Sequence, residues 1–124
     1  MQKSGSGSLP SLSVRIDLDT EGRIGPGKIL LLENINSCGS ISAAGRAMNM
    51  SYKRAWELVA DINDSFAEPL VAAQTGGKAG GGAALTARGE ELVRHYRAIE
   101  RKALSATASH LKALQAISRN RRRK

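Results

Sequence analysis

A chain of 124 residues accommodates one compact domain and excludes a second large one. It carries 19 basic and 11 acidic side chains for a net charge of +8, but residues 1–87 hold eight of each, so the excess sits wholly in 88–124. The lone Cys38 excludes an internal disulfide, the aromatics Tyr52, Trp56, Phe66 and Tyr96 are too few for a base-stacking single-strand binder, and no apolar run approaches the ~20 residues that span a membrane.

Residues 1–12 are rich in Ser, Gly and Pro without periodicity, which predicts a disordered lead-in with no apolar leader; a cytoplasmic location is expected. Residues 13–20 alternate Val14, Ile16 and Leu18 with Arg15, Asp17 and Asp19, the pattern of a half-buried strand. Gly25-Pro26 opens a helix whose apolar face is Ile29, Leu31, Leu32 and Ile35, and Gly39 ends it. Ser40 or Ser42 caps a second helix with a small-residue face at Ala43, Ala44, Ala47 and Met48, and Asn49 makes the turn.

Ser51 caps a third helix that places Ala55, Val59, Ile62 and Phe66 on one side and Lys53, Glu57 and Asp61 opposite. Glu68-Pro69 stops it. Two short strands, 70–75 and 83–86, flank the glycine-rich loop 76–82 with Lys78 at its tip. Thr86 then caps a last helix on which Leu92, Tyr96, Ile99 and Ala103 recur, with weaker continuation through Leu111, Leu114 and Ile117. A helix that outlasts so small a domain is expected to meet a second copy of itself.

The glycine loop is not a phosphate-binding loop, because Ala72 stands where the first glycine belongs and Ala79 follows Lys78. His95 and His110 lie 15 residues apart, outside metal-ligand spacing, so solvated histidines and a half-buried Cys38 thiol are expected. No His, Cys or carboxylate cluster at catalytic spacing supports an enzyme. Two cations and two hydroxyls at the start of the third helix instead suit a duplex. Arg54 takes a guanine edge or a phosphate, Tyr52 and the amides near Ser51 take phosphates, and Lys53 points outward. Trp56 is expected either to pack under the hairpin or to meet a thymine methyl, Arg46 to be a plain surface residue or a backbone clamp across the groove, and Lys78 to follow the minor groove or phosphates unless the glycines serve only the hairpin's curvature. The basic tail 119–124 adds salt-sensitive affinity for any polyanion without selectivity.

Residues 39–44, 50–56, 68–71 and 75–83, above all Ser51-Tyr52-Lys53-Arg54-Ala55-Trp56 and Thr75-Gly76-Gly77-Lys78-Ala79-Gly80-Gly81-Gly82, resemble the N-terminal domain of ModE-type molybdate-responsive repressors. The first half is also similar to the LysR-type helix-turn-helix, and the likeness runs from Val14 to Ala103. The resemblance implies a dimeric regulator without the family's C-terminal molybdate-binding region, hence no cofactor.

The sequence therefore predicts an α+β winged helix-turn-helix, mostly helical with a small β-hairpin wing, plus a long C-terminal dimerisation helix. Its parts are a disordered segment 1–12, a DNA-binding domain 13–86, a dimerisation helix 87–118 presenting Leu92, Tyr96, Ile99 and Ala103, and a basic tail 119–124. The expected partners are double-stranded DNA and a second copy, with no membrane. Two other functions remain open: a dimerising module that modulates a full-length ModE-type partner, and a non-specific nucleoid-type protein.

Overall fold

The computed structural model describes residues 10–19, 21–74 and 81–118. The expectations for most of the lead-in, for Lys78 with the loop 75–80, and for the tail 119–124 fall outside those residues. Within them the order is β1 (Ile16–Asp17), β2 (Arg23–Ile24), α1 (Pro26–Cys38), α2 (Ile41–Ala47), α3 (Tyr52–Ser65), β3 (Val71–Gln74), β4 (Gly82–Leu85), α4 (Ala87–Ala106) and α5 (Ala108–Ile117). The strands form two antiparallel hairpins, Ile16 facing Ile24 in the first and Val71 facing Leu85 in the second.

Helix starts follow from side-chain oxygens that satisfy orphan amides. Ser40 Oγ accepts from Ala43 N, Ser51 Oγ from Arg54 N and Thr86 Oγ1 from Gly89 N, each at 3.0 Å. Gly39 closes α1 in the left-handed region at φ 82°, its amide bonded to Ile35 O.

The main core joins Leu31, Leu32 and Ile35 of α1, Ile41 and Ala44 of α2, Ala55, Val59 and Ile62 of α3, and Leu70, Val71 and Ala83 of the second hairpin region. A smaller cluster gathers Ile24, Ile29 and Tyr96, with Val14, Ile16 and Phe66 against it. Tyr96 Oη donates to Val14 O at 2.6 Å, strapping the N-terminal strand segment to α4. Arg97 holds α4 to α1 through paired bonds to Glu33 at 2.7 and 2.9 Å, and also meets Glu100.

Three expectations change. The strand expected over 13–20 is only Ile16–Asp17, because the Asp19 carboxylate accepts from the amides of Glu21 and Gly22 and turns the chain early. The single helix expected over 87–118 is two, since Thr107 leaves helical geometry and returns its hydroxyl to Ala103 O at 2.7 Å. Cys38 is exposed rather than half-buried.

Candidate nucleic-acid interface

The start of α3 is held outward by what its other face buries. Ala55, Val59 and Ile62 are at most 3% exposed and lock the helix to the core. Beneath its first turn, Gly45 of α2 lies so close that a Cβ there would stand 3.0 Å from the Ala55 Cβ, which is why α2 and α3 can cross tightly. The turn between them places Asn49 at φ 60° and returns Met50 N to Gly45 O at 2.9 Å.

The opposite face is consequently open. Ser51, Tyr52, Lys53, Arg54 and Trp56 are all exposed. Tyr52 and Trp56, one turn apart, meet edge to face with ring centroids 6.1 Å apart. Trp56 is 46% exposed, so its indole edge is accessible to a ligand. With Ser51 Oγ serving the Arg54 amide, the amides of Tyr52 and Lys53 remain at the positive end of the helix dipole. Lys53 Nζ and Arg54 Nη1 each lie 3.9 Å from a Glu57 carboxylate oxygen. Exposed pairs at that distance are worth about 0–1 kcal/mol, enough to compete with, but not to exclude, another anion. Arg46, in the last turn of α2, is exposed and donates to Ser42 Oγ at 3.0 Å.

Asn63 is the organising residue that sequence reasoning missed. Its Oδ1 accepts from Leu70 N at 2.9 Å and Val71 N at 3.1 Å, while Nδ2 donates to Val71 O at 3.2 Å, so α3 dictates where β3 begins. On the other strand, Ala83 N bonds Gly39 O and Leu85 N bonds Asn36 Oδ1. The hairpin is thus fixed to both α3 and the end of α1. A polar residue beside an apolar stripe carries no sign of these distant partners.

The four residues expected to pair two copies do not share one free face. Tyr96 is 1% exposed and so spent within the chain, Leu92 is partly buried against both core clusters, Ile99 is 45% exposed and Ala103 half-buried. That corrects the assignment of Tyr96 to a self-association surface, because its ring packs on Ile24 and Ile29. The exposed apolar residues lie further along, at Leu104, Leu114 and Ile117. His95 and His110 are exposed.

No protein-family model matches the chain. It is 46% identical over 95 residues to the molybdenum-pterin-binding protein MopB of Rhodobacter capsulatus, covering 77% of this chain and 35% of that one. It is 41% identical over 78 residues to MopA of the same organism, covering 63% and 29%. The transcriptional regulator ModE of Haemophilus influenzae is 42% identical over 78 residues, covering 63% and 31%. The chain therefore spans about a third of the length of the relatives it matches. These relatives overturn two expectations. Two of them are named for binding a molybdenum pterin, so a kinship limited to the DNA-binding half of ModE-type repressors and detached from molybdenum is corrected, and the expectation of no cofactor is withdrawn with it. Among the described residues no helix is long and apolar enough to cross a membrane. The chain is similar both to ModE transcriptional regulators and to molybdenum-pterin-binding proteins.

Proposed function

We propose that this chain is a sequence-specific, double-stranded-DNA-binding transcriptional regulator of winged helix-turn-helix type, working in the cytoplasm as a homodimer by occupancy rather than catalysis. The observation that carries this reading is the capped start of α3, which turns Tyr52, Lys53 and Arg54 to solvent while Ala55, Val59 and Ile62 anchor the helix behind them. In this reading α3 enters the major groove. Arg54 takes a guanine edge or a phosphate, Lys53 and Tyr52 take phosphates, Trp56 meets a thymine methyl and Arg46 clamps the backbone from α2. The hairpin β3–β4 is the wing, with Lys78 assigned from the sequence alone. The exposed apolar residues Ile99, Leu104, Leu114 and Ile117 supply the contact between copies. Half-sites then lie about one helical turn apart, or a multiple of it, and repression follows from covering promoter DNA.

Selection of bound sequences from random duplexes at fixed salt, with the protein's mass measured in solution, tests this. The expected result is an enriched two-fold related motif and a mass twice that of the chain. Binding without enrichment would identify a non-specific nucleoid-type protein, and a two-chain mass without duplex binding would identify a dimerising partner module.

A second reading is favoured by the names of MopB and MopA: that the chain binds molybdenum as its oxyanion or a pterin complex. An open groove of about 370 Å³ between α1 and α4 offers Arg94 and Asn36, yet Glu33 and Glu90 line it too and oppose an oxyanion. No three His, Cys, Asp or Glu side chains among the described residues come together to hold a metal. Equilibrium dialysis against molybdate decides it: saturable uptake supports the reading, and retention equal to a sulfate control rejects it.

A further inference from the structure

Glu57 is a carboxylate in the middle of the surface offered to a polyanion, which is the wrong charge for affinity. Its side chain is 52% exposed, so burial does not explain it. Among the described residues its charged neighbours are Lys53 and Arg54, one turn back along α3, each at 3.9 Å. Lys53 at i−4 and Arg54 at i−3 are the two positions from which a helical side chain reaches Glu57, so one carboxylate sits over both cations.

We propose that Glu57 is a specificity-determining residue, a built-in competitor for the two cations that read the duplex; the proposal rests on the DNA reading above. Away from its operator the carboxylate occupies Lys53 and Arg54 and repels the phosphates they would otherwise hold, so random duplexes are bound weakly. On the operator the cost is offset because a carboxylate in the major groove accepts from the N4 amino group of cytosine. A chain whose excess basic charge lies in residues 88–124 gains selectivity from such a device, since the tail attracts every duplex alike.

The test compares wild type, Glu57→Gln, Glu57→Asp, Lys53→Ala and Arg54→Ala on a selected operator duplex and on a random duplex of equal length, across a series of salt concentrations. Glu57→Gln should tighten random-duplex binding by about 3- to 10-fold and steepen its log–log salt dependence by about 1 to 2 as the freed cations engage phosphates. It should also lower the operator-to-random ratio and erase a cytosine preference in the selected motif. Glu57→Asp, which keeps the charge, should stay close to wild type on the random duplex. Unchanged random-duplex affinity and salt slope in Glu57→Gln, with Lys53→Ala and Arg54→Ala still weakening the operator complex, would overturn this inference and leave the DNA reading standing. If none of the four variants alters binding to either duplex, both fall.

Discussion

Replacing Asn63 by Ala should loosen the junction between α3 and the second hairpin. The amide side chain supplies one acceptor for two backbone donors, Leu70 N and Val71 N, and one donor for Val71 O. Leu70 and Val71 are 1% and 5% exposed, so water cannot replace the lost partner without opening the core there. Each buried donor left unsatisfied costs about 1–3 kcal/mol, and two that share one acceptor place the loss at about 2–4 kcal/mol. Against the 5–15 kcal/mol typical of a whole domain that is a large fraction, equivalent to a fall in Tm on the order of 10 °C or more. Urea unfolding followed by far-UV circular dichroism measures it, with hydrogen exchange at the Leu70 and Val71 amides as the local readout. Asn63→Asp keeps both acceptor bonds but sets a carboxylate oxygen against Val71 O in place of the donor, so protection at the Leu70 and Val71 amides should outlast that in Asn63→Ala even where overall stability falls. A loss under about 0.5 kcal/mol in Asn63→Ala, with protection at those amides intact, would refute the reasoning.

Two further outcomes follow from the same contacts. At Gly89 a Cβ would overlap the Leu70 carbonyl oxygen, which also accepts from Thr86 N, so Gly89→Ala should cost about 1–3 kcal/mol despite the higher helix propensity of alanine; a stabilised variant by thermal melt would contradict this. The Arg97 guanidinium, through its hydrogen bonds, holds the Glu33 carboxyl below the ordinary glutamate value. A depressed carboxylate pKa contributes stability that is complete above the unfolded value and lost as pH falls through the folded one. Stability should therefore decline on acidification below the ordinary glutamate range, and Glu33→Gln should flatten that limb in urea titrations, leaving the part due to Asp19, which its backbone amide partners Gly22 and Glu21 also hold low. An acid limb of unchanged slope in Glu33→Gln would show that the Glu33–Arg97 pair carries no weight.

What the sequence discloses here is what depends on neighbours within a turn or two. The spacing of Ala55, Val59 and Ile62 marks the buried side of α3 without knowledge of what covers it, and Ser51, Thr86 and the choice between Ser40 and Ser42 announce three helix starts because a cap acts on an amide three residues away, Ser40 being the cap used. Asn49 at the turn is readable for the same reason. What escapes is set by partners remote in the chain. The recurrence of Leu92, Tyr96, Ile99 and Ala103 shows an apolar stripe, yet only the packed fold shows that Tyr96 belongs to Val14, 82 residues earlier, and not to a second copy. The Arg97–Glu33 bridge spans 64 residues, and Asn63 serves Leu70 and Val71, apolar residues whose side chains give no hint of it. Thr107 reads as an unremarkable helical residue, and its break in the last helix comes from a hydroxyl that competes for the Ala103 carbonyl.

In the proposed reading the amino end of α3 lies against base pairs. Backbone amide NMR shifts recorded while a selected operator duplex is added to the intact chain test it most directly. The largest changes are expected at residues 51–57, with lesser ones at Arg46 and β3–β4, and none at Glu33 in the α1–α4 groove. Changes concentrated in that α1–α4 groove, with residues 51–57 unmoved, would contradict it.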